Sequence, residues 1–260
     1  MASTYSFATA VFGGTAPVVC AYLIKVTHLL TAPAFYILTT GWLAAPVAYS
    51  IYLTKRDQIH CPSNSTKLPL TYLVTPEPPG GKPLADFIVH LERALKAGIR
   101  LVQLRAKTVT ASQYAWLAEQ VLTCCRRHNA RLLLNVPTDV TQALQADGVH
   151  LTSTRLMACT SRPLPPGLLV SAACHDTYQV QHANRIGVNL LTISPVLPTA
   201  THTTAEPLGW PRFRELVALT SIPVYALGGM SVDTLAEARD AGAHGIAAIR
   251  ALWGGAVEKS

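Results

Sequence analysis

Ile222-Pro223-Val224-Tyr225-Ala226-Leu227, then Gly228-Gly229-Met230, then Ser231-Val232-Asp233: this stretch decides the fold. An apolar run of that length bounded by glycines predicts a strand buried on both faces, as in a parallel sheet. Ser231 suits a helix N-cap, and Asp233 places a carboxylate in the first turn, where it complements the helix dipole, so a helix is predicted from Ser231 through Ala241. Strand, double glycine and capped helix make one β-loop-α unit.

The same unit recurs in both directions along the chain. Strands are predicted at Leu70–Thr75, Ile99–Arg105, Arg131–Asn135, Asp147–Leu151, Leu168–Ala173, Val188–Ser194 and His244–Ile249. Helical spacing of apolar residues falls in Leu84–Ala97, closed by Gly98, and in Ala111–His128. Further helices are predicted from Pro137 toward Gln145, over Thr177–Ile186, and after Trp210-Pro211, with a long loop from Pro195 to Gly209 before the last of these. Eight strands with seven helical connections between residues 70 and 252, together with the Gly-Gly, favour a closed (β/α)8 TIM barrel over an open doubly wound sheet. No G-x-G-x-x-G opens a helix, and there is no Walker motif.

Residues 1–66 read differently. Met1–Ile24 and Leu29–Thr54 carry no charged side chain, and Lys55-Arg56 follows the second stretch. Either stretch is long enough to cross a bilayer of about 30 Å, which needs roughly 20 apolar residues, and the basic pair suits a cytoplasmic stop. Pro17, Pro33, Pro46 and Gly13-Gly14 interrupt both stretches, which fits non-native or disordered sequence equally well. Residues 57–69 have a linker's composition. The chain therefore divides into an apolar extension and linker, 1–66, outside the barrel, and a barrel domain, 67–260.

The formal charge is +7, with 13% charged residues. No run of Lys and Arg interleaved with aromatics occurs, which argues against a nucleic-acid partner and for a phosphorylated small molecule. Of six cysteines, Cys124 and Cys125 are adjacent and no C-x-x-C occurs, so neither a zinc site nor a disulfide framework is expected. This is the pattern of a reduced, cytoplasmic protein. The membrane reading of residues 1–66 would tether it on the cytoplasmic face. Homo-oligomerisation is left open.

In a parallel barrel the ligand lies at the C-terminal ends of the strands. That rule selects Gln103, Arg105 and Lys107, which alternation puts on one side after the second strand; Asn135 after the third; His175 after the fifth; and Thr199 and Thr201 after the sixth. Gly228 and Gly229 would let backbone N–H groups approach a phosphate.

Tyr72-Leu73-Val74-Thr75, Gln103-Leu104-Arg105-Ala106-Lys107, Ala146-Asp147-Gly148-Val149-His150-Leu151, Ser194-Pro195-Val196-Leu197-Pro198-Thr199 and Pro223-Val224-Tyr225-Ala226-Leu227-Gly228-Gly229 follow one another in an order and spacing that resembles the thiamine phosphate synthase and thiazole tautomerase (TenI-like) superfamily. Ala173-Cys174-His175 and Pro207-Leu208-Gly209-Trp210 are most similar to the version fused behind a Nudix hydrolase in some bacteria. Residues 1–66 hold one acidic residue, Asp57, and no Arg-Glu-x-x-Glu-Glu helix of the Nudix kind.

The resemblance implies a barrel that binds a phosphorylated thiamine precursor. The family's synthases hold Mg²⁺ with an aspartate after the third-strand Asn and another after Gly-Val-His-Leu; those places are Val136 and Arg155 here. The family's serine two before the fifth-strand His is Ala173, its lysine ending the sixth-strand motif is His202, and its serine after the last strand is Arg250. What survives implies substrate binding by Gln103, Arg105, Lys107, Asn135, Thr199 and Thr201, phosphate binding by Gly228 and Gly229, and no metal or other cofactor. The related tautomerases use a His at the position of His175 to move a proton on a thiazole phosphate. The resemblance thus leads first to a tautomerase-like isomerase, with a Mg²⁺-dependent synthase and a non-catalytic or vestigial thiamine-phosphate-binding domain as alternatives.

Overall fold

A computed structural model of the chain describes residues 67–78, 84–199 and 206–253. The expectations for the apolar extension, 1–66, and for Thr201 and His202 lie outside the described residues.

The strands are β1 (Thr71–Val74), β2 (Leu101–Leu104), β3 (Arg131–Leu134), β4 (Gly148–Leu151), β5 (Leu169–Cys174), β6 (Leu190–Ile193), β7 (Val224–Leu227) and β8 (Gly245–Ala248). They pair in parallel and in sequence order, and β8 returns to β1, closing the barrel. The helices are α1 (Leu84–Lys96), α2 (Ala111–Arg127), α3 (Thr138–Ala143), α4 (Ser153–Ala158), α5 (Thr177–Ile186), α6 (Gly209–Val217) and α7 (Leu235–Asp240).

Alternation along the strands produces two apolar clusters. Leu73, Val102, Leu104, Leu132, Leu134, Val149, Val170, Leu191, Val224 and Ile246 face outward into a sleeve shared with the helices. Tyr72, Leu101, Leu133, Leu190, Tyr225 and Ala247 face inward and fill the barrel. Full burial of each large apolar side chain contributes about 1.5–3 kcal/mol, which is why the strands read as near-continuous hydrophobic runs. Tyr72 and Tyr225 meet edge to face with ring centroids 5.5 Å apart. Tyr225 Oη donates to the Pro69 carbonyl, and the His244 ring bonds the Leu68 carbonyl, so residues 68–69 are fastened to the N-terminal ends of β7 and β8.

Most helix boundaries follow local chemistry. Gly98, at φ +109°, closes α1 just after Lys96, as its sequence predicts. Thr110 and Gln113 form a capping box on α2. Asp176 caps α5, and Gly187 closes it in the left-handed conformation. Two elements differ from expectation. The helix predicted from Ser231 begins as a 3-10 turn, Val232–Thr234, and becomes α-helical only at Leu235. There the Thr234 hydroxyl accepts from Ser231 N at 3.0 Å and donates to Ser231 O at 2.9 Å, closing a three-residue turn. α4 escapes periodicity altogether, because its six residues bury only Leu156. Among the described residues no helix is long and apolar enough to cross a membrane.

Barrel closure depends on bare backbone at Gly245. A Cβ there would lie 2.0 Å from the Leu70 carbonyl oxygen, an atom that cannot swing aside because Ile246 N donates to it at 2.9 Å. Gly245→Ala is expected to lower unfolding stability by roughly 1–3 kcal/mol, the usual penalty of forced overpacking. Urea denaturation of the two chains measures it. Equal midpoints would mean that the β1–β8 seam yields without cost.

Candidate active site

A cavity of about 410 Å³ opens at the C-terminal ends of the strands. Gln103, Arg105, Lys107, Asn135, His175, Thr199, Gly228 and Gly229 all line it. The barrel thus brings together every residue assigned from the sequence to binding or catalysis except Thr201, which is not described.

The rim is cationic. Arg105 and Lys107 follow β2, and Arg250 follows β8. Among the described residues no Asp or Glu lines the cavity, and no three His, Cys, Asp or Glu side chains gather as metal ligands do. A concave site with positive charge and no lining carboxylate concentrates an anion. The charge is partly offset at one point, where Arg105 Nη1 lies 3.2 Å from Glu77 Oε2.

The glycine pair sits where the β6 and β7 loops touch. Gly228 and Gly229 have φ of +98° and +71°, a region that L side chains rarely adopt. A Cβ on Gly228 would meet Pro195 Cα at 2.9 Å, and one on Gly229 would meet Leu197 Cβ at 2.7 Å. Val196 N donates to Leu227 O at 2.9 Å, and Leu197 N to Gly228 O at 3.1 Å. A side chain on Gly229 would therefore act first by displacing the 195–198 loop, not by reaching into the cavity.

The floor is polar but neutral. Tyr72 Oη donates to Gln103 Oε1 at 3.2 Å, and His150 Nδ1 is 3.0 Å from Ser171 Oγ. Burial, helped by the nearby Arg155 guanidinium, pushes the His150 pKa down to about 3, so its imidazole is uncharged at neutral pH. Thr192 Oγ1 is buried, lines the cavity and has no hydrogen-bond partner. An orphaned buried hydroxyl there is a polar group that a ligand can satisfy. Asn135 Oδ1 accepts from Arg155 Nη1 at 3.2 Å, so a guanidinium stands beside the third-strand amide.

His175 is exposed at the mouth, immediately before the Asp176 cap of α5. Its Nδ1 lies 2.6 Å from the Ser194 carbonyl oxygen, and its backbone N donates to Gln179 Oε1 at 2.8 Å. A carbonyl only accepts, so Nδ1 carries the proton of the neutral ring, and Nε2 keeps its lone pair. The ring is oriented, in one tautomer, by a backbone atom of β6's loop.

Thr192, Arg250 and, just outside the cavity, Glu77 were not assigned to this site from sequence, and His150, selected as a residue at the end of the fourth strand, was given no role there. His150 and Thr192 are set by strand register: each is an inward residue one alternation above the apolar layer. Arg250 had a readable signal, a cation two residues after the last strand, and it lines the same cavity as the glycine pair. Glu77, a lone acid among Pro76, Pro78 and Pro79, gave no periodic or motif signal.

The buried His150 makes stability depend on pH. Its ordinary value is 6.5 and its folded value about 3, so as pH falls the unfolded chain takes up the proton first. The stability it permits is complete above about pH 6.5 and is lost progressively toward pH 3. His150→Gln is expected to flatten the fall in unfolding free energy over this window by up to about 1.4 kcal/mol per pH unit, one proton's worth. Urea midpoints at a series of pH values check it, and parallel slopes would show that His150 titrates normally when folded.

Comparison with known proteins agrees with this geometry. A protein of Aquifex aeolicus, provisionally named thiamine-phosphate synthase 2, is 33% identical over 183 residues, spanning 70% of this chain and 97% of that one. The thiamine-phosphate synthase of Methanospirillum hungatei is 31% identical over 185 residues, 70% of this chain and 88% of that one. In fold, the thiamine phosphate pyrophosphorylase structure from Pyrococcus furiosus matches with a TM-score of 0.56 at 24% identity, covering 69% of this chain and 84% of that chain. Residues 71–252, from the first strand to just past the last, match the family described as thiamine monophosphate synthase. With the closed barrel, the cationic rim and the glycine pair carried by that same span, the chain belongs to the thiamine monophosphate synthase family.

Proposed function

We propose that this barrel serves thiamine biosynthesis by binding a thiazole phosphate and moving a proton on its ring through His175. The observation that carries the reading is the 2.6 Å contact between His175 Nδ1 and Ser194 O at the cavity mouth, from which Nδ1–H is assigned to that carbonyl. Nε2 can then take a proton from one carbon of the bound heterocycle and return it at a conjugated carbon. The ring double bonds shift and the proton balance is zero, which is a tautomerisation. Gly228, Gly229 and Arg250 form the end suited to the phosphate, in the loops after strands seven and eight where barrels commonly hold one. Gln103 and Thr192 offer neutral partners to the ring.

The relatives named thiamine-phosphate synthase support a second reading, the coupling of a pyrimidine pyrophosphate to a thiazole phosphate. That chemistry uses Mg²⁺ on the leaving pyrophosphate. The residues present do not fit the ion. Val136 packs against the apolar sleeve, Arg155 puts a guanidinium on Asn135, and no lining carboxylate is available among the described residues.

Assay of the full chain with each thiazole phosphate tautomer, with and without Mg²⁺ and the pyrimidine pyrophosphate, tests both. Tautomerisation without Mg²⁺ is expected, falling at least about a hundredfold in His175→Ala, the low end for loss of a general acid–base group. An unaffected rate in that variant would remove His175 from the mechanism. Mg²⁺-dependent thiamine phosphate formation at ordinary enzyme rates would overturn the preference in favour of the synthase. Inactivity in both assays would leave a binding role.

A further inference from the structure

We propose that Glu77 is a positioning residue, whose carboxylate on the loop after β1 holds the loop after β2 in the shape that presents Arg105 and Lys107 to the cavity. Its Oε1 accepts from Lys107 N at 2.5 Å, from Thr108 N at 2.7 Å and from Thr108 Oγ1 at 2.8 Å. Its Oε2 accepts from Arg105 Nη1 at 3.2 Å. One side chain therefore satisfies two successive backbone donors, a hydroxyl and a guanidinium across 28 to 31 positions of sequence.

The two backbone donors lie between the end of β2 and the Thr110 cap of α2, where neither sheet nor helix supplies an acceptor. Their conformation is consequently set by whatever accepts from them, and an ionised carboxylate makes hydrogen bonds roughly twice as strong as a neutral acceptor does. Thr75 completes the grip, its Oγ1 accepting from Arg105 N at 2.9 Å. Arg105 is thus held at its backbone by Thr75 and at its guanidinium by Glu77. Lys107 is held by its backbone N–H, which fixes where its side chain starts without using an ammonium proton. Glu77 does not line the cavity, so it touches no ligand and acts through the two cations that do.

Such a residue has a signature different from that of a scaffold residue. Losing it should misplace cations that bind the anionic ligand while leaving the proton-transfer machinery at His175 intact. The ligand in this argument rests on the thiazole phosphate reading above; the geometry of the loop does not. In the full chain, Glu77→Ala is expected to raise the KM for thiazole phosphate about tenfold with kcat within about twofold, the scale of losing charge-assisted hydrogen bonds. Amide hydrogen exchange at Lys107 and Thr108 should quicken while the thermal midpoint hardly moves. Glu77→Gln keeps an oxygen acceptor for the backbone but turns an amide N–H2 toward the Arg105 guanidinium, so it should restore the protection at Lys107 and Thr108 and only part of the KM. Unchanged exchange and KM in Glu77→Ala would overturn the proposal, as would a loss of kcat and thermal midpoint at constant KM. If the wild type turns over no thiazole phosphate, the functional reading fails by itself. Exchange at the two amides, read with titration of inorganic phosphate, then decides: faster exchange with about tenfold weaker binding supports Glu77 as the positioner, and equality with wild type overturns it.

Discussion

The parallel pairing of β1 with β8, Thr71 against Ile246 through Leu73 against Ala248, is the constraint on which the rest of the molecule depends. Once that seam closes, the sheet has no edge, and every second side chain on all eight strands is committed to an interior of fixed width. The lower layer of that interior is apolar, built around the Tyr72–Tyr225 pair. The layer above it cannot be, because the next inward residues are Gln103, His150 and Thr192. Their burial is tolerable because most find partners within the barrel, Gln103 with Tyr72 and His150 with Ser171, and because the layer opens into the cavity.

Neutral floor and charged rim divide the site's work. His150 is held uncharged by burial, so it adds no cation to a cavity already bordered by Arg105, Lys107 and Arg250. An anion entering such a site would meet positive charge at the mouth and a hydrogen-bonding surface below. His175 stands at the mouth, tied to Ser194 O, where β5 and β6 meet.

Contacts between successive loops carry the precision of the arrangement. The glycine pair after β7 accepts the 195–198 loop so closely that a single methyl would displace it. The exit of β1 grips the exit of β2 through Thr75 and Glu77. In both cases a loop that presents functional groups is shaped by its neighbour in the barrel, not by its own sequence, as expected where loops lie on a rigid scaffold.

Much of this was legible in the chain itself. Apolar runs bounded by glycines, prolines or polar turn residues marked eight strands, and the barrel rule placed Gln103, Arg105, Lys107, Asn135, His175 and the glycine pair at one end, because strand direction and the two-residue period are local properties. α4 was not legible, since six residues with one buried Leu make no period, and the 3-10 start at Val232 depends on a Thr234 rotamer that spacing does not reveal. Glu77 was invisible for a different reason: an acid among prolines has no pattern, and its partners lie about thirty residues away. The sequence by itself determined which residues stand at the strand ends and which way each strand alternates, because backbone geometry imposes both. Only the tertiary structure decided which of them are neutral, which are paired and in which tautomer His175 waits, because burial, the Arg155 field and the Ser194 carbonyl reach those groups across space and not along the chain.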